Sequence, residues 1–445
     1  MSSIVTQPPV TISRRHFIGA AAALAAVPLL SKLPAARVAG SDRIKVGVIG
    51  TGGRGAGAAR NCIDAHPSVQ IWALGDLFPD RVEECLRKLR NGDGGKSNKK
   101  GKGAVVGPPA GADRVNVTKE RCFWGFDAYK QVINSGVDLV ILAAPPQFRP
   151  LHLEAAIQAG KHVFAEKPVA VDPVGARRVI SIGELAAKKN LAIVAGTQRR
   201  HSPDYMELMQ RIHDGAIGEI VGGQCYWLQQ GLWNLDRKPE WSDMEYQIRN
   251  WLYYIWLSGD HIVEQHIHNI DVLNWALGGP PVKAMGMGGR QSRTEPKYGN
   301  IYDHFAVEFE YANGVRVASM CRQVPNTAGR VGERVVGTKG VAFPDKAKIT
   351  GAVNWEYKDG RPNALVLEHV ALINSIREGK PLNEARRVAE STLTAILGRT
   401  SAYTGKEINY SWILNNSKQD LTPPKFAFGP APAVEVPIPG VEPLV

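Results

Sequence analysis

The sequence predicts an α/β protein: a doubly wound parallel sheet near the amino terminus, followed by an α+β domain with a large, mostly antiparallel open sheet. Three observations carry that prediction. An apolar β-type run feeds into a glycine-rich turn at Ile44–Gly55. Apolar runs and helical stretches then alternate with the rhythm of βαβ units to about Pro168. Beyond that point the strand-like segments are punctuated by turn residues, including a hairpin signal at Asn313-Gly314.

The first segment, 1–41, reads as a leader and linker. Ser13-Arg14-Arg15-His16-Phe17-Ile18-Gly19 precedes a modest apolar run, Ala20–Leu30, and resembles a twin-arginine export signal. The run is too short to span a bilayer unaided. Ala36 or Ala39 would be the last residue removed, and an uncleaved anchor is the alternative. The expectation is a protein exported folded to the periplasm or another extracytoplasmic space, with no stable membrane span after processing.

In Ile44-Lys45-Val46-Gly47-Val48-Ile49 followed by Gly50-x-Gly52-x-x-Gly55, each glycine has a mechanical task. The first makes the tight turn, the second admits a pyrophosphate to the backbone N–H groups, and the third lets the next helix pack close. That helix presents partial positive charge to the phosphates. A second apolar run ends in Asp76, about 20 residues past the loop, where a carboxylate grips an adenosine ribose. A Rossmann dinucleotide domain is expected over 42–168, with Gly50, Gly52, Gly53, Arg54, Gly55 and Asp76 in the cofactor site. Asp76 favours NAD by repelling a 2′-phosphate, although Arg54 and Arg81 offer charge for NADP.

Further apolar runs fall at Val137–Ala144 and His162–Ala165, with helices expected at 127–135 and 151–159 between them. The second domain is expected over 169–419. It opens with helix 173–189 and strand 191–198, followed by strands at 220–229 and 282–288 and a hairpin of 304–311 with 315–323. Long amphipathic stretches follow at 365–378 and 383–404, and residues 420–445 form a proline-rich extended tail on the same subunit or a partner.

Lys and Arg outnumber Asp and Glu by 54 to 42, giving a charge of +12. Much of the excess sits in the leader and in a polar insert at about 91–113, read as a flexible loop, with no basic helix interleaved with aromatics. Nucleic-acid binding is therefore not expected. Five cysteines, at 62, 85, 122, 225 and 321, include no C-x-x-C pair, which excludes a disulfide framework and a zinc pattern.

Glu166-Lys167-Pro168 closes a strand at the sheet edge where ligands bind, and Ala143-Ala144-Pro145-Pro146 ends another, with His152 on the helix after it. In a helix drawn through 260–271, Asp260, Glu264, His268 and Asp271 share one face, opposite Val263, Ile267 and Ile270. A carboxylate one turn from an imidazole raises its basicity and fixes its tautomer. His261, His266 and His268 do not share a face, so no metal is expected.

These motifs together resemble the glucose–fructose oxidoreductase/inositol dehydrogenase (Gfo/Idh/MocA) family. The likeness also runs through Gly196-Thr197-Gln198-Arg199-Arg200, Glu264…His268-x-x-Asp271 and Asn374–Asn383, nearly the whole chain after the leader. It implies that Lys167 is the catalytic lysine and that Glu264 and His268 form the second catalytic pair, with Glu where the family has Asp. It adds Ala144, Pro145, Glu166 and Lys167 to the cofactor site. By the same likeness the protein is a homo-dimer or homo-tetramer built through the open face of its second sheet.

The expected activity is oxidation of a sugar, sugar derivative or polyol with tightly held NAD, NADP being possible. A redox-neutral glycoside lyase or hydrolase and a non-catalytic cofactor-binding protein are the alternatives. Residues 226–256 hold five of the ten tryptophans, Trp233 among them, and read either as a carbohydrate cleft or as core and interface packing. His201, Tyr302 and His304 are the other candidate substrate contacts.

Overall fold

The computed structural model describes residues 43–92 and 110–445. The leader and nearly all of the basic insert lie outside these residues. The first sheet has six parallel strands: β1 (Ile44–Ile49), β2 (Val69–Asp76), β3 (Cys122–Trp124), β4 (Leu139–Leu142), β5 (His162–Ala165) and β6 (Ile193–Ala195). Their order is β3-β2-β1-β4-β5-β6. The strands read as near-continuous apolar runs because both faces are covered. On one face Val48, Ile71 and Ile141 pack with α1 (Gly53–Ala65) and α2 (Pro79–Asn91). On the other, Val140, Leu142 and Val163 pack with α3 (Ala128–Asn134), α4 (Arg149–Gln158) and α5 (Pro173–Lys188). Because β6 belongs to this sheet, the sheet reaches past residue 168, where the sequence placed its edge.

After α6 (Pro203–His213) comes a sheet of nine strands: β7 (Ile220–Gln229), β8 (Lys283–Gly289), β9 (His304–Glu310), β10 (Arg316–Gln323), β11 (Arg330–Gly337), β12 (Gly340–Phe343), β13 (Lys348–Gly351), β14 (Trp355–Glu356) and β15 (Ile408–Asn409). The order is β14-β13-β12-β11-β7-β10-β9-β8-β15, and every pairing except β7 with β10 is antiparallel. The β9–β10 hairpin turns where Asn313-Gly314 required it: Gly314 has φ +77° and donates to the Tyr311 carbonyl at 2.8 Å.

The remaining helices are α7 (Asp243–Arg249), α8 (Ile255–Ser258), α9 (His261–Glu264), α10 (Ile267–Ala276), α11 (Ala364–Arg377), α12 (Ala385–Thr404) and α13 (Tyr410–Asn415). Among them α10 and α12 lie against the second sheet, and α11 packs on α1. On the open side of the sheet, Met285, Met287 and Met320 stand exposed.

The helix drawn through 260–271 is broken. Its two pieces, α9 and α10, are separated at Gln265-His266. Asp260 precedes α9 with φ +72° and is fully buried, accepting from the backbone of His261 and Tyr302 and from the Tyr403 hydroxyl. The proline-rich tail lies on its own chain: the Tyr302 hydroxyl donates to the Pro437 carbonyl and the Gly440 N–H to that of Thr404.

Candidate active site

Five strand ends and one helix start converge on the crevice. Gly50 has φ +87°, and a Cβ there would come within 2.1 Å of the Ala144 backbone nitrogen. A Cβ at Gly55 would sit 1.8 Å from the Gly50 carbonyl oxygen, whereas at Gly52 nothing lies within 4 Å. The first and third glycines therefore serve close packing, and the second leaves open approach to the amino end of α1. That helix has no side-chain cap and no acidic residue in its first turn, so its N–H groups stay available to an anion. Asp76 ends β2, with one carboxylate oxygen held by Thr51 N–H at 2.6 Å and the other by Phe78 N–H at 3.1 Å. Burial raises its pKa despite these bonds. The residues present fit a dinucleotide laid from Asp76 across the glycine loop.

Arg54 does not stand beside Asp76 as a phosphate counter-ion. Its guanidinium pairs with Glu166 and lies 3.6 Å from Glu368 on α11. Glu368 is fully buried, and burial together with the Glu166 charge pushes its carboxyl well above the ordinary range. Gly196 makes room for Glu166, whose carboxylate would lie 2.5 Å from a Cβ at that position.

Lys167, just past β5, reaches the second domain. Its Nζ donates to Glu264 Oε1 at 2.9 Å and to the Glu264 carbonyl at 2.5 Å. Among the described residues no hydrogen bond joins Glu264 to His268, so the expected carboxylate–imidazole pair does not form. Instead, burial first and then the charges of Lys167, Arg199 and Arg54 hold the His268 pKa well below its ordinary value. Its imidazole is neutral, and its ring stacks on Trp227 at 5.8 Å. Asp271 faces away, accepting from Arg200 at 2.9 Å and from Ser391 at 2.7 Å. The four-residue polar face therefore reduces to Glu264 and His268.

Of the candidate substrate contacts, Tyr302 is buried at 1% exposure with its hydroxyl on the tail, which removes it from the crevice. His201 Nε2 lies 3.3 Å from Glu384, a residue that also accepts from Ala195 N–H. His304 alternates with buried Phe305 and Val307, so it stands on the open face of the sheet, 2.7 Å from Asp303. Trp233 packs edge-on against Trp251. In the aromatic segment Tyr246, Tyr253, Tyr254 and Trp256 are buried, while Trp227, Trp233, Trp241 and Trp251 pack half-buried against the core.

Sequence reasoning held Trp227 only as one tryptophan of the aromatic segment, and it missed Arg149. Trp227 has a buried indole N–H with no partner among the described residues, next to His268. Strand alternation put it on the inner face with Cys225, the one signal that could have singled it out. Arg149 is 2% exposed and donates to the carbonyls of Leu142, Ala144 and Pro168, tying the ends of β4 and β5 together. An arginine opening a helix after Pro145-Pro146 carries no signal of that clamp. Among the described residues no group of three or more His, Cys, Asp or Glu is placed to hold a metal ion; His261 bonds Asp260 and His266 bonds Ser319.

Comparison with known proteins agrees with this geometry. Residues 44–197 match the Gfo/Idh/MocA oxidoreductase family with its NAD-binding Rossmann fold, and residues 205–343 match the GFO/IDH/MocA C-terminal domain. An inositol 2-dehydrogenase of Saccharopolyspora erythraea is 24% identical over 345 residues, 76% of this chain and 86% of the relative. That of Rubrobacter xylanophilus is 28% identical over 306 residues, 67% and 71% of the two chains. A levoglucosan dehydrogenase solved with NADH and levoglucosan superposes with TM-score 0.63 at 16% identity, covering 83% of this chain and 99% of that one. The myo-inositol 2-dehydrogenase of Lactobacillus plantarum gives 0.61 at 18% identity, with 82% and 99% covered. With both domain signatures in sequence order on the fold they require, the chain belongs to the Gfo/Idh/MocA family of NAD-binding oxidoreductases.

Proposed function

We propose that this enzyme oxidises a sugar, sugar derivative or polyol, with Lys167, His268 and Glu264 as its catalytic residues. The observation that carries the proposal is the amine of Lys167, placed at a Rossmann strand end and held by Glu264 of the other domain, with a neutral imidazole beside it. Bound NAD supplies the acceptor for hydride leaving the substrate carbon. His268 takes the hydroxyl proton, and its lowered pKa keeps the imidazole free to accept it. Lys167 stabilises the developing alkoxide and relays the proton. Positioned acid–base help of this kind contributes about 10²–10⁴-fold. Trp227 offers its unpartnered N–H and ring to the substrate. Gly50, Gly52, Gly53, Arg54, Gly55, Asp76, Ala144, Pro145 and Glu166 shape the cofactor site, and NAD is held tightly there.

The hydroxyl-bearing substrate is supported by the inositol and levoglucosan dehydrogenases among the relatives. Export by the twin-arginine route rests on Arg14-Arg15, and assembly as a homo-dimer or homo-tetramer rests on the exposed methionines of the open sheet. The test is to supply purified protein and NAD with inositols, free sugars and glycosides while following nicotinamide absorbance and products. Net NADH formation from any of them supports the proposal. Glycoside cleavage without net redox change would replace it with the redox-neutral alternative.

A further inference from the structure

Resting on the NAD site at the glycine loop, we propose that the carboxyl-terminal tail walls the adenosine end of that site through Phe426 and Phe428 and slows cofactor release.

The path of the tail supports this. The Leu421 N–H donates to Asp172 at 2.9 Å, and Thr422 accepts from Gln147 at 2.9 Å. The Phe426 ring then lies 5.1 Å from Phe148 and 6.4 Å from Phe126. Phe428 lies 5.2 Å from Phe126 and 6.2 Å from Phe78. The next carbonyl, of Gly429, accepts from Met244 in the second domain at 3.0 Å. Phe78, Phe126 and Phe148 each follow the carboxyl end of a strand: β2, β3 and β4 respectively. That edge is where a doubly wound sheet receives its ligand, and Asp76, two residues before Phe78, marks the adenosine half.

Two features make the tail a fixed wall. It is tied on both sides of the phenylalanines, beyond them by Gln247 to the Pro432 carbonyl at 3.1 Å and by Tyr302 to that of Pro437 at 2.8 Å. Its prolines also reduce the entropy lost on ordering it. The second domain reinforces the same point, since the Arg249 guanidinium sits 3.7 Å over the Phe78 ring. Phe428 nevertheless remains 51% exposed, leaving apolar ring surface beside the crevice for an adenine to cover. A dinucleotide leaving by its adenosine end has to displace the strap.

The experiment compares the full chain with Phe426→Ala/Phe428→Ala by stopped-flow displacement of NADH. Release from the variant should be faster by roughly tenfold, the scale of two lost aromatic contacts. ADP-ribose release should speed up equally, while nicotinamide mononucleotide binding stays unchanged. Unchanged NADH release overturns the proposal, and slower release overturns it by showing that the tail competes for the site. A wild-type protein that binds no NADH would instead refute the cofactor site itself. Should the alanine variant lose its native circular dichroism, Phe426→Leu/Phe428→Leu decides by the same readout.

Discussion

Lys167 and Glu264 meet across the two domains, amine to carboxylate at 2.9 Å and amine to the same residue's carbonyl at 2.5 Å. The lysine is carried at the end of a parallel strand and the glutamate closes a single helical turn that stops where the chain breaks at Gln265. The contact thus holds the amine toward the second domain.

Replacing Lys167 by Met should lower kcat by about 10²–10⁴-fold, the usual worth of a positioned proton-transfer group. NADH affinity, measured by fluorescence titration, should change little. Near-normal turnover would remove Lys167 from the mechanism.

Glu264→Ala removes the carboxylate that neutralises the Lys167 amine and leaves it only the carbonyl of residue 264. Breaking a buried pair costs about 3–5 kcal/mol. Side-chain exposures of 13% and 12% let water reach this one, so the low end applies. Urea midpoints measure the loss, and Glu264→Asp should recover part of it.

The glycine loop separates folding from binding. Gly55→Ala drives a methyl into the Gly50 carbonyl oxygen and should lower the melting temperature. Gly52→Ala meets nothing within 4 Å and should leave the melting temperature near wild type. The same methyl intrudes where the pyrophosphate approaches, so NADH binding should weaken by about tenfold, or 1.4 kcal/mol.

His152 is buried between Tyr129 and Phe148, and burial followed by the Arg149 charge takes its pKa down to about 3. Unfolded, a histidine titrates near about 6.5. Between these values the unfolded chain binds the proton and the folded chain does not, so stability falls as pH drops through that window. His152→Phe removes this contribution. Denaturant melts should show the variant gaining on wild type by roughly 1.4 kcal/mol per pH unit below about 6.5. A pH-independent difference would mean that the imidazole is not held neutral.

What the sequence determined by itself was local: glycines at a turn, a carboxylate one strand on, a lysine closing another strand, and Asn-Gly at a hairpin. Each follows from backbone conformation or strand periodicity within a few residues, which is why the Rossmann motif, the hairpin and Lys167 could be placed without coordinates. Only the tertiary structure decided the partners. A continuous 260–271 helix put four polar residues on one face, but Asp260 left the helix at φ +72° with its carboxylate in the core, and past the break at Gln265-His266 Asp271 meets Arg200. The sequence carried no sign that Arg54 would meet Glu368, more than three hundred residues away. Contacts between distant segments depend on how layers pack, and packing is settled by the burial of whole faces, which no local pattern encodes.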